Sequence, residues 1–216
     1  SFEITDIPLI EYVASKGKPI ILSTGIAEEE DIELALEACK RKGNNDIALL
    51  KCTSSYPAPI NEANMCMVKD LAERYSVISG LSDHTMGATV PIVAIAFGAK
   101  IIEKHFILDR SIGGPDASFS MNEQEFTEMV KAIREAEQAI GIVDYKLTEK
   151  QTKGRAFSRS LYVVADMKEG DVISEENVRS IRPGFGMHPK HFKDILGKKI
   201  NQDLEKGTAL KMEYIN

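Results

Sequence analysis

Two kinds of apolar pattern alternate along the larger, N-terminal part of this chain. Compact apolar runs at Pro19–Gly25, Ile47–Thr53, Val77–Leu81 and Lys100–Phe106 each give way to small or polar loop residues and read as buried strands. Between them apolar residues recur at helical spacing. In Glu28–Lys42, residues Ile32, Leu34, Ala35, Leu36, Ala38 and Cys39 follow that period, with acids leading and bases trailing as the helix dipole favours. Further helices are predicted over Ile7–Ser15, Asn61–Arg74, Ala88–Phe97 and Asn122–Ile140, and Ser1–Glu3 reads as the tail of a strand entering its loop.

Strands alternating with helices predict βα units on a parallel sheet, hence an α/β fold. Four units plus the strand tail amount to about half of an eight-stranded TIM (β/α) barrel. The opening SFEITD, without Met, suits a fragment of a longer protein whose other barrel strands lie upstream. Thr148–Arg155 is polar and suits a linker, dividing the chain into residues 1–147, 148–158 and 159–216. The last part is predicted as a small, turn-rich β module: strands at Ser160–Ala165 and Val178–Arg182, a short helix from Ser174, and the loop Pro183-Gly-Phe-Gly.

Composition sharpens this only in places. An apolar fraction of 43% and a charged fraction of 28% are those of a globular protein, and a net charge of −6 argues against binding nucleic acid. Cys39, Cys52 and Cys66 lack metal or disulfide spacing and read as buried reduced thiols, which together with the lack of a membrane-length apolar run predicts a cytoplasmic protein without membrane contact.

In each unit the chemically capable residues follow the strand, and strand C-termini of a parallel α/β sheet share one face, where active sites form. Two short motifs, SDHT and EKHF, put His84 and His105 at matching strand ends, where two imidazoles could share one divalent metal. The alternative for each is a hydrogen-bonded core histidine. Asp83, Glu103 and Asp116 are candidates to orient the imidazoles or do acid-base work, with Asp116 aimed by the tight Gly113-Gly114-Pro115 loop. Glu3, on the same rim, could act as a general base on water. Ser1, Ser23, Ser54 and Ser82 could cradle phosphate or carboxylate oxygens, and Tyr56 could hold its ring over a ligand. Arg182, ahead of a rigid then flexible loop, would project a guanidinium from the small module. His188 and His191 are read as structural.

Taken together, GKPIILSTG, LLKCTSSYPAP, GLSDHT, IIEKHF, LDRSIGGPD and IRPGFGMHPK resemble the sialic (nonulosonic) acid synthase family, and KCTSSYPAP, FILDRS, RSLYVV and RPGFGMHPKHF most resemble its pseudaminic acid synthase branch. The resemblance implies TIM-barrel strands five to eight followed by an antifreeze-like (SAF, β-clip) domain. It implies condensation of phosphoenolpyruvate with an acylamino sugar, releasing phosphate by C–O cleavage. His84 and His105 would hold Mn²⁺, Mg²⁺ or another divalent cation, and Glu3 would help activate water. Ser1, Ser23, Ser54 and Ser82 would bind phosphoenolpyruvate, although Ser54 stands where the neuraminate branch has asparagine. Tyr56 and Asp116 would face the sugar or metal-bound water. Arg182 would enter the partner subunit's barrel in a domain-swapped homodimer. The family's lysines and further glutamate from the early strands are missing here, so the chain alone is expected to be inactive. N-acetylneuraminate or legionaminate synthesis is the alternative within this chemistry, and a non-catalytic carbohydrate-binding or assembly protein the alternative outside it.

Overall fold

The four apolar runs become parallel strands. A computed structural model describes all 216 residues, and in it β1 (Ile20–Ser23), β2 (Ile47–Cys52), β3 (Ile78–Asp83) and β4 (Ile101–Lys104) lie side by side in that order. The ladders set Ile20 opposite Ile47, Leu50 opposite Gly80, and Ser82 opposite Glu103. Helix α1 (Ile7–Ala14) precedes β1, and α2 (Glu29–Arg41), α3 (Cys66–Tyr75), α4 (Thr89–Ala96) and α5 (Glu123–Ile140) each follow a strand. The result is the expected half of a (β/α) barrel.

Side chains alternate across the sheet, so register decides which residues can meet. On the outer face, Ile20, Ile47 and Leu49 pack with Ile10 and Ala14 of α1 and Ala35 and Leu36 of α2. Farther along, Leu81 packs with Val68 of α3, Val90 and Ala94 of α4, and Met129 and Ile133 of α5. Each fully buried leucine contributes about 1.5–3 kcal/mol, enough collectively to fix the strand order. The other face carries Ile21 and Ser23, then Ala48, Leu50 and Cys52, then Gly80 and Ser82, then Ile101 and Glu103. Gly80 cannot be larger: a Cβ there would lie 2.4 Å from the Ile101 carbonyl oxygen and 2.6 Å from Leu50.

Four local expectations change. Phe2–Thr5 forms a 3₁₀ turn, not a strand tail, because Asp6 N–H bonds the Glu3 carbonyl while Ile4 inserts into the core and the Asp6 carboxylate caps α1. The helix predicted from Asn61 starts at Cys66, since Ile60–Glu62 closes a separate 3₁₀ turn and Asn64 sits at φ 48°. No helix forms from Ser174. There the Asn177 amide accepts from Ser174 N–H and donates to the Val172 carbonyl, diverting the backbone into a turn. Within the polar stretch Thr148–Arg155, a reciprocal cap between Thr148 and Gln151 nucleates the short helix α6 (Glu149–Gly154).

The chain divides into two units, Ser1–Ile142 and Val143–Asn216. In the second, β5 (Ser160–Val163) and β6 (Val178–Ile181) pair antiparallel, and single bridges such as Tyr162 to Ala209 and Val172 to Lys199 extend the small β structure. Leu161, Val163, Ile173, Val178, Ile200 and Leu210 form its core together with Ile195 of α7 (Phe192–Ile195). No helix of either unit is long and apolar enough to cross a membrane.

Candidate functional site

The inner-face parity of β3 and β4 continues for one more step past each strand, and that step delivers both histidines. His84 is two residues beyond Ser82 and His105 two beyond Glu103, and their ring centroids stand 5.1 Å apart. The loop after β2 then closes over His84. Its Nδ1 lies 3.1 Å from the Thr53 carbonyl oxygen, and Ala58 N–H bonds the His84 carbonyl. With Nδ1–H donated to a carbonyl, Nε2 is left with its lone pair, the tautomer a metal ligand requires.

His105 is fixed by a different segment. Met121 runs parallel beside Phe106, Met121 N–H bonds the His105 carbonyl, and Ile107 N–H bonds that of Met121. This return places buried Phe119 5.0 Å from the His105 ring and 5.9 Å from Tyr56, whose own ring packs 4.4 Å from His84. Asp116 Oδ2 lies 3.5 Å from His105 Nδ1. Arg110 anchors the loop bearing Asp116 by binding the Ser120 carbonyl and the Glu125 carboxylate at the start of α5. That guanidinium holds the Glu125 carboxyl below the usual range.

Cys52 lies beneath the pair. Its Sγ is 3.8 Å from His84 Nδ1 and 3.8 Å from Ser54 Oγ. Burial pushes the thiol up, but hydrogen bonds from His84, Ser54 and Ser82 bring it below its ordinary value. Burial conversely pushes His84 down, and the Cys52 sulfur and Thr53 carbonyl outweigh that, leaving the imidazole above its ordinary value. A cation on Nε2 would act in the opposite direction, since it competes with the proton.

The serines divide into two groups. Ser54 Oγ donates to Ser1 Oγ at 3.1 Å, and Gly25 permits this approach, because a Cβ at Gly25 would lie 2.2 Å from Ser1 Cβ and 2.5 Å from Ser54 Oγ. Ser82 is buried and donates to Glu103 Oε1 at 2.7 Å. Ser1, Glu3, Ser23 and Glu103 line one cleft of ≈ 360 Å³, with Ile21 and Leu22 of β1 among its walls. Glu3 is exposed there.

Asp83 does not face the histidines. It belongs to the outer face, buried against Lys104, because it has the opposite parity from Ser82. Cys66 is exposed, unlike Cys39 and Cys52, because it begins α3. Arg182 belongs to the second unit, exposed at the end of β6 where a loop is pinned from below. Ser160 Oγ donates to the Pro183 carbonyl and accepts from Gly186 N–H, holding the loop that follows the arginine.

Two arrivals were not predicted. Cys52 could have been found by parity, since it pairs with Ser82 in the ladder and so shares the inner face with His84. Phe119 gave no such signal, because its place depends on Met121 returning beside His105.

Two imidazoles fit a divalent cation that takes nitrogen donors beside oxygens. No group of three or more His, Cys, Asp or Glu side chains is placed to hold one, so substrate or water oxygens would complete the shell.

Residues 1–145 match the NeuB family and residues 158–215 match the SAF domain. The chain belongs to the NeuB family. It is 47% identical over 211 residues to the pseudaminic acid synthase of Campylobacter jejuni serotype O:23/36, covering 98% of this chain and 62% of that protein. With the pseudaminic acid synthase of Helicobacter pylori it shares 44% identity, covering 100% of this chain and 64% of the relative. Among solved structures, a spore coat polysaccharide biosynthesis protein from Bacillus subtilis is 34% identical with a TM-score of 0.62, over 100% of this chain and 66% of that one. The chain thus spans less than two thirds of the length of these curated relatives.

Proposed function

We propose that this chain is the metal-binding and sugar-facing part of a pseudaminic acid synthase, which condenses phosphoenolpyruvate with a 2,4-diacetamido-2,4,6-trideoxy hexose. The observation that carries this reading is the histidine pair, with His84 Nδ1 committed to a backbone carbonyl and His105 Nδ1 facing Asp116. The identity to proteins named pseudaminic acid synthase supports the choice of sugar.

In this reading His84 and His105 would hold Mn²⁺, Mg²⁺ or a similar ion, which would supply Lewis-acid polarisation of the sugar aldehyde. Tyr56 and Phe119 restrict the space beside the pair. Asp116 accepts a hydrogen bond from a sugar hydroxyl, or would accept one from a water on the cation. Ser1 and Ser23 donate to the oxygens of phosphoenolpyruvate, Ser54 and Ser82 join them by turning their hydroxyls from Ser1 and Glu103, and Glu3 takes the proton from the water that adds at the former enol carbon. Carbon–carbon bond formation consumes the enol π bond, water adds to the resulting cationic carbon, and the tetrahedral adduct expels phosphate with C–O cleavage. Arg182 meets the sugar's acylamino group from the partner of a homodimer.

Phosphate release by the full-length protein, measured with each candidate hexosamine, tests the assignment. Turnover with the diacetamido trideoxy sugar is expected, and turnover confined to N-acetylmannosamine moves the chain to the neuraminate branch. Mn²⁺ titration tests the site itself, with affinity expected to be lost in the His84→Ala, His105→Ala variant. Equal affinity in both proteins rules out the pair as the metal site and leaves a non-catalytic scaffold as the better reading.

A further inference from the structure

Immediately before the two histidines stands a buried ion pair that the reaction outlined above does not use. Lys104 Nζ lies 2.6 Å from Asp83 Oδ2, with each side chain 1% exposed. The two residues are partners in the β3–β4 ladder and are the last residues of their strands. Beyond them no β3–β4 ladder pairing holds the chain, yet the next residue on each strand is a histidine of the pair. Lys104 also donates to the carbonyls of Thr85 and Gly87, the latter at 3.1 Å. Asp83 in turn accepts from Thr85 N–H at 2.9 Å and from Thr85 Oγ1–H at 3.2 Å. One ammonium therefore joins the end of β4 to both ends of the turn that carries His84.

Stability alone is a poor reason for such a pair. Removing two charges from water costs several kcal/mol per ion, and packed apolar side chains of similar volume often serve a core as well or better. What apolar contacts cannot supply is direction: three acceptors along residues 83–87 converge on the single Nζ that β4 presents. We propose that Lys104 is a positioning residue that, through Asp83 and the Thr85 and Gly87 carbonyls, sets the separation of His84 and His105 and so the affinity of the pair for a divalent cation. This rests on the metal reading above and adds to it the element that builds the site.

Mn²⁺ titration of the full-length protein, with Co²⁺ as the spectroscopic probe, tests the proposal in Lys104→Met, Asp83→Leu. This double variant removes both charges together, so neither is left buried opposite an apolar side chain, and it frees the Thr85 N–H, hydroxyl and carbonyl that the pair held. It is expected to keep the wild-type far-ultraviolet circular dichroism while binding Mn²⁺ about 10- to 100-fold more weakly, the range for losing a supporting residue of a metal site. Its Co²⁺ visible spectrum is expected to change. Lys104→Arg, which keeps the charge and the donors, is expected to recover part of the affinity. If the double variant does not fold, Asp83→Asn, which keeps the shape and weakens the hold on Lys104, decides by the same titration. Histidine-dependent binding that stays at wild-type strength in the folded variant, with an unchanged Co²⁺ spectrum, overturns the positioning role while leaving the metal site standing. Binding that survives in His84→Ala, His105→Ala overturns both.

Discussion

At the scale of single residues, three thiols of one chain have three environments. Cys39 is fully buried in α2 with no polar partner, and burial pushes its thiol above the ordinary value. Cys52, equally buried, is drawn the other way by His84 and its serine neighbours, while Cys66 faces solvent. A thiol reagent is therefore expected to modify Cys66 first and Cys39 only on unfolding, as peptide mapping after timed labelling would show; early modification of Cys39 would contradict the packing. The Cys39 shift also carries a pH dependence. Above the ordinary thiol pKa the unfolded chain ionises this group while the folded chain keeps it protonated, so the unfolded state binds fewer protons and stability falls as pH rises. Below that pKa the contribution is fully present. The urea midpoint is expected to drop between about pH 8 and pH 10, across the ordinary thiol pKa, by more in the wild type than in Cys39→Ala, which is less stable at both values but lacks this ionisation.

At the scale of elements, the site depends on where α5 begins. Asn122 caps that helix by accepting from Glu125 N–H, and the Glu125 carboxylate returns to Asn122 N–H. The same carboxylate binds Arg110, and Arg110 holds the Ser120 carbonyl, so the cap and the loop that carries Asp116 and Phe119 share one anchor. Asn122→Ala is expected to cost about 1 kcal/mol in chemical denaturation. Glu125→Gln, which keeps a capping acceptor but removes the charge facing Arg110, is expected to disturb the Asp116 loop more than the helix. Hydrogen exchange resolved by segment would separate the two, and identical protection of residues 107–121 in both variants would break the proposed link. Periodicity made the helix legible in the sequence, as it did β1 to β4. The loop anchor was not legible, since Arg110 and Glu125 meet only after the chain has turned between them.

At the scale of the molecule, the two units have separate cores and carry different parts of the proposed chemistry. Arg182 is held on a loop pinned by Ser160 and is assigned by the present reading to a partner's sugar. In the full-length protein, Arg182→Ala is expected to lose most of its turnover and to regain activity when mixed with a subunit defective only at His84. Intact dimers that fail to complement would rule out exchange of this arginine between subunits. The sequence by itself determined the four βα repeats, the rim that gathers the histidines and serines, and the change to a small β module. Those features follow from local periodicity and from the rule that parallel strands end on one face. Only the tertiary structure decided that Glu3 lies in a turn, that Lys104 pairs with Asp83, and that Phe119 flanks the histidine pair. Each of these depends on contacts between segments distant in sequence, which the spacing of residues along one strand cannot specify.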